Sequence, residues 1–229
     1  MDQRWEHVLR SWLKYPEEIG AVISSPTHAE IWKGTATTCP YFKHYQTEEV
    51  IIVHSHPPQP DQRYHPPSPR DLLNCVASPN PHIVVAQEGF WIYSPTQVLR
   101  QEWAILTAKQ KESLSNVILN NCHGLCASLT GGDMLDTFSE GIPRTTITIK
   151  QFQVQIENVI PRKDPSLPCL GFHTTLSSEL PDRQCIRFEK HQSVLGHIWN
   201  VESLEDLEDR ISSTKSGSCV SRDNSIIVV

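Results

Sequence analysis

The sequence lacks the features that mark membrane and secreted proteins. No stretch approaches the roughly 18 consecutive apolar residues that a membrane-spanning helix needs. Residues 1–5 also contain no apolar run of the kind that forms the core of a signal peptide. We therefore expect a soluble intracellular protein, cytoplasmic or nuclear, with no membrane partner.

Positive charge is also scarce, and the cysteines do not form an obvious set of pairs. Lysine and arginine number 20 against 26 aspartates and glutamates, and no basic stripe with interleaved aromatic residues is present. The counterion release that drives nucleic-acid binding therefore has little to act on, and we expect no nucleic-acid partner. The seven cysteines are odd in number and scattered, which argues against a secreted disulfide framework and favours reduced thiols.

The pattern of apolar residues predicts an α/β fold. Apolar side chains recur at helical spacing over residues 5–13, and the helix that they predict should end before Pro16. Short apolar runs predict strands at 18–23, 50–53, 83–86 and 90–93, followed by a largely helical stretch at 96–127. We expect a mixed β-sheet flanked by helices.

The chain divides by composition into three parts. Residues 1–130 hold the predicted helices and strands and should form the main domain. Residues 140–200 contain alternating apolar and polar positions, which predict a small β-rich extension of unknown role. Residues 201–229 predict an acidic surface helix and then a flexible polar tail.

The most informative motif is His54-Ser55-His56-Pro57, followed by Ser68-Pro69-Arg70-Asp71. Residues two apart on a strand point to the same face, so both imidazoles can reach one ion, and a carboxylate from the following segment supplies a third ligand. Three protein ligands leave the fourth position of a tetrahedral zinc ion open for water, as in catalytic zinc sites. The sequence therefore predicts that His54, His56 and Asp71 hold a zinc ion.

These residues resemble the motif of the JAMM/MPN metallopeptidases, in which a glutamate precedes His-Ser/Thr-His-Pro and then Ser-x-x-Asp. Residues 16–23 look like the segment that carries the family's glutamate, and by that alignment Glu18 takes the catalytic position. In the family, the position of Ser68 donates a hydrogen bond to the oxyanion. The resemblance covers residues 3–127 and implies the MPN fold, an arrangement like that of the cytidine deaminases. Residues 89–95 are similar to versions encoded by large DNA viruses and phages.

The loop between the two halves of the motif is longer than is usual in the family. His56 and Asp71 are separated by 14 residues, and residues 57–69 include six prolines. A loop insertion of a few residues costs only a few tenths of a kcal/mol in closure entropy. We therefore expect the metal site to tolerate the insertion.

The same residues also have simpler interpretations. Asp71 fits a first-turn acid that the helix dipole favours, and Ser68 fits an ordinary N-cap. Glu17 is an alternative to Glu18 as the functional acid. His65 lies in the long loop and could replace a metal ligand, although a solvated loop histidine is the expected state.

The resemblance implies a metallopeptidase that hydrolyses isopeptide or peptide bonds. Its first expected substrate is ubiquitin or a ubiquitin-like protein attached to lysine, and the C-terminal extension is the place where a protein partner is expected. The alternative is a catalytically silent MPN scaffold that binds protein partners. Such scaffolds lack the ligands, whereas Glu18, His54, His56 and Asp71 are all present.

Overall fold

A computed structural model describes residues 3–25, 28–39, 50–60, 62, 64–80, 82–130, 144–148, 159, 171–180 and 204–220. The helices are α1 Gln3–Ser11, α2 Pro69–Val76, α3 Gln97–Ile105, α4 Ala108–Thr130 and α5 Leu204–Ser213. The strands are β1 Ile19–Ser25, β2 His28–Lys33, β3 Ile51–Ser55, β4 His82–Ala86, β5 Gly89–Pro95, β6 Arg144–Thr148, β7 Gly171–Ser177 and β8 Ser218–Cys219. The predicted α/β class is confirmed.

The described residues form two compact units, and the first of them is built on a mixed sheet. Its strands follow the order β4-β3-β1-β2-β8. β3 and β4 run parallel, whereas β1 is antiparallel to both β2 and β3, and β8 is antiparallel to β2. The predicted mixed sheet with flanking helices is therefore present within this unit.

The first helix covers this sheet and ends where the sequence predicts. α1 lies against β4. A 3-10 turn at Trp12–Lys14 follows it, and Tyr15 then adopts extended backbone angles, φ −86° and ψ 142°, ahead of Pro16. The side chains buried by this segment are Trp5, Val8, Leu9 and Trp12. Burial of such apolar side chains stabilises the fold by about 1.5–3 kcal/mol each.

β1 and β3 lie at the centre of the first unit. Their register pairs Ala21 with Val53 and Val22 with Ile52, and all four side chains are buried. Because both faces of these strands are covered, their apolar residues run continuously instead of alternating with polar ones. The buried strand β3 gives a fixed position to the histidines at its end.

The second unit contains α2, α3, α4 and the antiparallel pair β6 and β7. α2 packs against α3 and α4. Thr96 caps α3 by accepting a hydrogen bond from the Leu99 amide at 3.2 Å, and its own amide donates to the Gly171 carbonyl at 2.8 Å. β6 and β7 fall within the predicted β-rich extension, and residues 140–143, 149–158, 160–170 and 181–200 of it lie outside the described part of the chain.

Residues 204–220 belong to the first unit. α5 is the predicted acidic helix, and it buries Leu207 and Ile211. The Tyr15 hydroxyl donates to the backbone carbonyl of Glu208 at 3.2 Å, which ties α5 to the segment that follows α1. The proposed division of the chain near residue 130 stays a prediction.

A short strand follows α5 where the polar composition predicts a flexible tail. Ser218 and Cys219 pair with β2. Gly217, the residue before this strand, has a φ of +81°, which glycine adopts without strain. Val220 is buried just beyond. Pairing with a neighbouring strand uses only main-chain groups, so a polar segment can form β8. None of the described helices combines the length and the apolar composition that crossing a membrane requires.

Candidate metal centre

The end of β3 positions the two histidines of the motif. His54 lies opposite Gly20 on β1 and Val84 on β4, and only 8% of its surface is exposed. The His56 amide donates to the Val85 carbonyl at 2.9 Å, so the residue after the strand is also held by β4. The backbone that carries His54 is therefore held by both neighbouring strands, and the backbone of His56 is held by β4.

Ser55 holds the strand between them. Its hydroxyl oxygen accepts a hydrogen bond from the Ile19 amide at 2.9 Å, and its side chain is completely buried. Because neighbouring residues on a strand point to opposite faces, this contact fixes the face on which His54 and His56 lie. The middle residue of the motif therefore has a structural role.

The two imidazoles point their Nε2 atoms at each other. These atoms are 3.1 Å apart, and the ring planes make an angle of 63°. The Nδ1 atom of His56 lies 3.2 Å from the backbone carbonyl of His65. Since a carbonyl oxygen can only accept, Nδ1 carries the proton and the Nε2 of His56 presents its lone pair. This is the tautomer that a metal-binding histidine needs.

Asp71 is placed by the first turn of α2. Ser68 is the N-cap, and its hydroxyl oxygen accepts from the Asp71 amide at 3.2 Å. In return, Oδ2 of Asp71 accepts from the Ser68 amide at 2.7 Å, which completes a capping box. The simpler interpretation of these residues as helix-capping groups is therefore correct, and the reciprocal bonds also fix the direction of the carboxylate.

The three predicted ligands come together in space. One ligand atom from each of His54, His56 and Asp71 lies within 4.8 Å of the other two. Two nitrogens bonded to one tetrahedral zinc ion at 2.0–2.1 Å are about 3.3 Å apart, close to the separation of the two Nε2 atoms. Two imidazoles with one carboxylate are also a donor set that suits zinc. The group can therefore hold a metal ion, and its residues fit zinc.

Glu18 is not a member of this group. It immediately precedes β1, whose Gly20 pairs with His54 on β3. The Glu18 amide donates to the Thr35 carbonyl at 2.8 Å, its carbonyl accepts from the Gly34 amide at 2.7 Å, and the residue is 8% exposed. Among the described residues, the metal-binding group consists of His54, His56 and Asp71 alone.

Glu17, the alternative acid, has a partner on the neighbouring strand. Its carboxylate lies 3.4 Å from the ammonium group of Lys33, whose side chain is almost fully buried. An ammonium group taken out of water needs an opposite charge nearby. Glu17 therefore has a structural role beside Lys33.

His65 differs from the expected solvated loop residue, because it is only 4% exposed. Its Nε2 accepts from the Gln59 amide at 3.0 Å, and its Nδ1 lies 3.5 Å from Oε2 of Glu88. It is not among the grouped ligands of the described residues. Glu88 has no counterpart in the sequence motif, and the 23 positions between it and His65 leave no local signal of their contact.

The thiol of Cys75, on the same helix as Asp71, has a perturbed ionisation. Burial raises the pKa of this thiol, and the carboxylate of Asp71 acts in the same direction. The guanidinium of Arg100 opposes the shift. Cys75 is therefore an apolar packing residue of α2 and not a nucleophile.

Comparison with known proteins adds no relative to these observations: no protein-family model, curated protein or solved structure matches the chain.

Proposed function

We propose that this chain is a zinc metallopeptidase of the JAMM type that hydrolyses isopeptide or peptide bonds. The observation that carries the proposal is the meeting of His54, His56 and Asp71 within 4.8 Å. The two histidines and Asp71 lie close together although a long proline-rich loop separates them in the sequence. The donor set agrees with the resemblance, and the tautomer of His56 suits a ligand.

Glu18 is the proposed general base. When zinc is bound, it supplies Lewis acidity, which makes a coordinated water more acidic and polarises the scissile carbonyl. Glu18 accepts the proton of the attacking water and passes it to the leaving amine. Its position two residues before Gly20, which pairs with His54, and its low exposure support this role, because a carboxylate sheltered from water interacts more strongly with nearby charge.

Ser68 is the proposed donor to the oxyanion. Its hydroxyl oxygen accepts from the Asp71 amide at 3.2 Å, which orients the side chain. A hydroxyl group can accept and donate at the same time, so its proton stays available for a second hydrogen bond. A donor already directed at the developing negative charge adds to the rate without reorganisation.

The proposed substrate is ubiquitin or a ubiquitin-like protein joined to a lysine side chain. This step rests on the resemblance, which also supports an intracellular site of action, in the cytoplasm or nucleus of a host cell if the chain is viral. The C-terminal part of the chain is the proposed place for a protein partner. A catalytically silent scaffold is the competing function, and it would bind the same conjugates without cleaving them.

The experiment is a cleavage assay with matched zinc-loaded and zinc-stripped protein. Ubiquitin chains of defined linkage and a ubiquitin-fused amide are the substrates, and mass spectrometry identifies the products. Cleavage that depends on zinc and returns when zinc is restored supports the proposal. Binding of the chains without cleavage, in protein that carries zinc, supports the scaffold.

A further inference from the structure

A buried pair of ionisable side chains, which does not belong to the three ligands, joins the proline-rich loop, residues 57–69, to the turn after β4. Glu88 comes from the turn between β4 and β5, and His65 comes from the loop. Their side chains are 9% and 4% exposed. Burial of a carboxylate and an imidazole is costly unless both are hydrogen-bonded, so this pair calls for an explanation.

The contacts of the pair form a chain that ends at a metal ligand. Oε1 of Glu88 accepts from the His65 backbone amide, and its Oε2 lies 3.5 Å from His65 Nδ1. On the far side of the ring, Nε2 accepts from the Gln59 amide at 3.0 Å. The backbone carbonyl of His65 then accepts from Nδ1 of His56 at 3.2 Å.

Each hydrogen bond in this chain has one allowed direction. The Gln59 amide can only donate, so Nε2 of His65 is unprotonated and its neutral ring carries the proton on Nδ1, facing Glu88. The His65 carbonyl can only accept, so His56 carries its proton on Nδ1. The carboxylate of Glu88 accepts from the His65 amide at Oε1, and its Oε2 lies 3.5 Å from the His65 nitrogen that carries the proton.

We propose that Glu88 and His65 are positioning residues for the metal ligand His56. Glu88 fixes the His65 backbone and ring, and the His65 carbonyl then sets the tautomer and the ring orientation of His56. The inference rests on the proposed function for the ligand role of His56. It goes beyond that function because it gives the long loop a role: the loop carries His65 back to the end of β3, where its carbonyl holds the ring of His56.

The main test replaces Glu88 with alanine and uses Gln87→Ala as the matched control, because Gln87 is the exposed neighbour in the same turn. Zinc affinity is measured by competition with a chromogenic chelator. Outer hydrogen-bond partners of metal-binding histidines typically contribute about 10–100-fold in affinity, so Glu88→Ala should bind zinc about 10–100-fold more weakly. Gln87→Ala should bind zinc like the wild type.

A second measurement separates positioning from general stabilisation of the fold. Two-dimensional 15N NMR of the metal-free proteins reports which nitrogen of His56 carries the proton. The wild type and Gln87→Ala should show the Nδ1-protonated form alone, and Glu88→Ala should show a mixture of both tautomers. A folded Glu88→Ala protein with the wild-type tautomer and affinity would overturn the inference.

The two proposals fail in different ways. If the wild type does not bind zinc, the proposed function fails, and the NMR measurement still tests whether Glu88 controls His56. If Glu88→Ala does not fold, Glu88→Gln is measured instead. It keeps the side-chain volume but removes the negative charge that lies beside the His65 ring, so it should also show weakened zinc affinity and mixed tautomers. Wild-type behaviour of Glu88→Gln in both measurements would overturn the inference.

Discussion

The carboxylate of Glu17 lies 3.4 Å from the ammonium group of Lys33, and this ion pair distinguishes Glu17 from the adjacent Glu18. Glu17 balances a nearly buried positive charge on β2. Glu18, the next residue, is buried just before β1, whose Gly20 pairs with His54. Sequence spacing alone leaves the choice between the two acids open, and the ion pair of Glu17 supports the proposal that Glu18 is the base.

Zinc content tests the ligand assignment. The purified protein should carry about one zinc ion per chain, because three donors with one open position form a complete catalytic site. His56→Ala and Asp71→Ala should each lose the metal. Elemental emission spectroscopy measures the content, and the exposed residues His7 and Asp209 provide the controls His7→Ala and Asp209→Ala. A full complement of zinc in Asp71→Ala would contradict the assignment.

Ser68 should affect both stability and rate, and a second helix cap separates the two effects. Ser68→Ala and Thr96→Ala each remove an N-cap hydrogen bond, so each should cost about 0.5–2 kcal/mol in urea-induced unfolding. Only Ser68→Ala should also lower the hydrolysis rate, by about 10²–10³-fold, because it removes the proposed oxyanion donor. Equal rates in the two variants would restrict Ser68 to a capping role.

The C-terminal helix should contribute to the stability of the first unit. Leu207 is buried on α5, and replacing a buried leucine with alanine removes apolar contact and leaves a cavity, at a cost of about 2–5 kcal/mol. Denaturant unfolding of Leu207→Ala measures this cost. Asp209→Ala, on the exposed face of the same helix, should unfold like the wild type. No loss of stability in Leu207→Ala would show that α5 is not part of the core.

Cys75 should resist alkylation in the folded protein. Burial raises the pKa of its thiol, so the reactive thiolate is disfavoured until the chain unfolds. The resulting contribution to stability is fully present below the thiol's unfolded pKa of about 8.5 and is lost as the pH rises through the folded value. Mass spectrometry of the peptide that carries Cys75, after iodoacetamide treatment with and without urea, measures the protection. Equal labelling in both conditions would contradict it.

The sequence predicts the elements whose signal is local. The first helix follows from apolar residues at helical spacing and from Pro16, and β1 and β3 follow from short runs that are buried on both faces. The placement of His54 and His56 on one face follows from the alternation of side chains along a strand. The choice of Asp71 depends on the motif, because any first-turn carboxylate has the same local pattern.

Other parts of the structure leave no local signal. β8 pairs with β2 through main-chain groups, so the side chains of Ser218 and Cys219 do not predict a strand. Glu88 reaches His65 across 23 positions of the chain, and neither residue stands in a recognisable pattern. His65 is buried because the long loop folds back towards the end of β3, which composition cannot predict.

The most direct test of the account is zinc-dependent cleavage of a ubiquitin-fused amide by the wild type, Glu17→Gln and Glu18→Gln. Glu18→Gln keeps the shape of the side chain but cannot accept the water proton, so the rate should fall by about 10²–10⁴-fold while the bound zinc is retained. Glu17→Gln should cleave at close to the wild-type rate, because it changes only the pair with Lys33. Wild-type activity in Glu18→Gln, or its loss in Glu17→Gln alone, would contradict the assignment of Glu18 as the base.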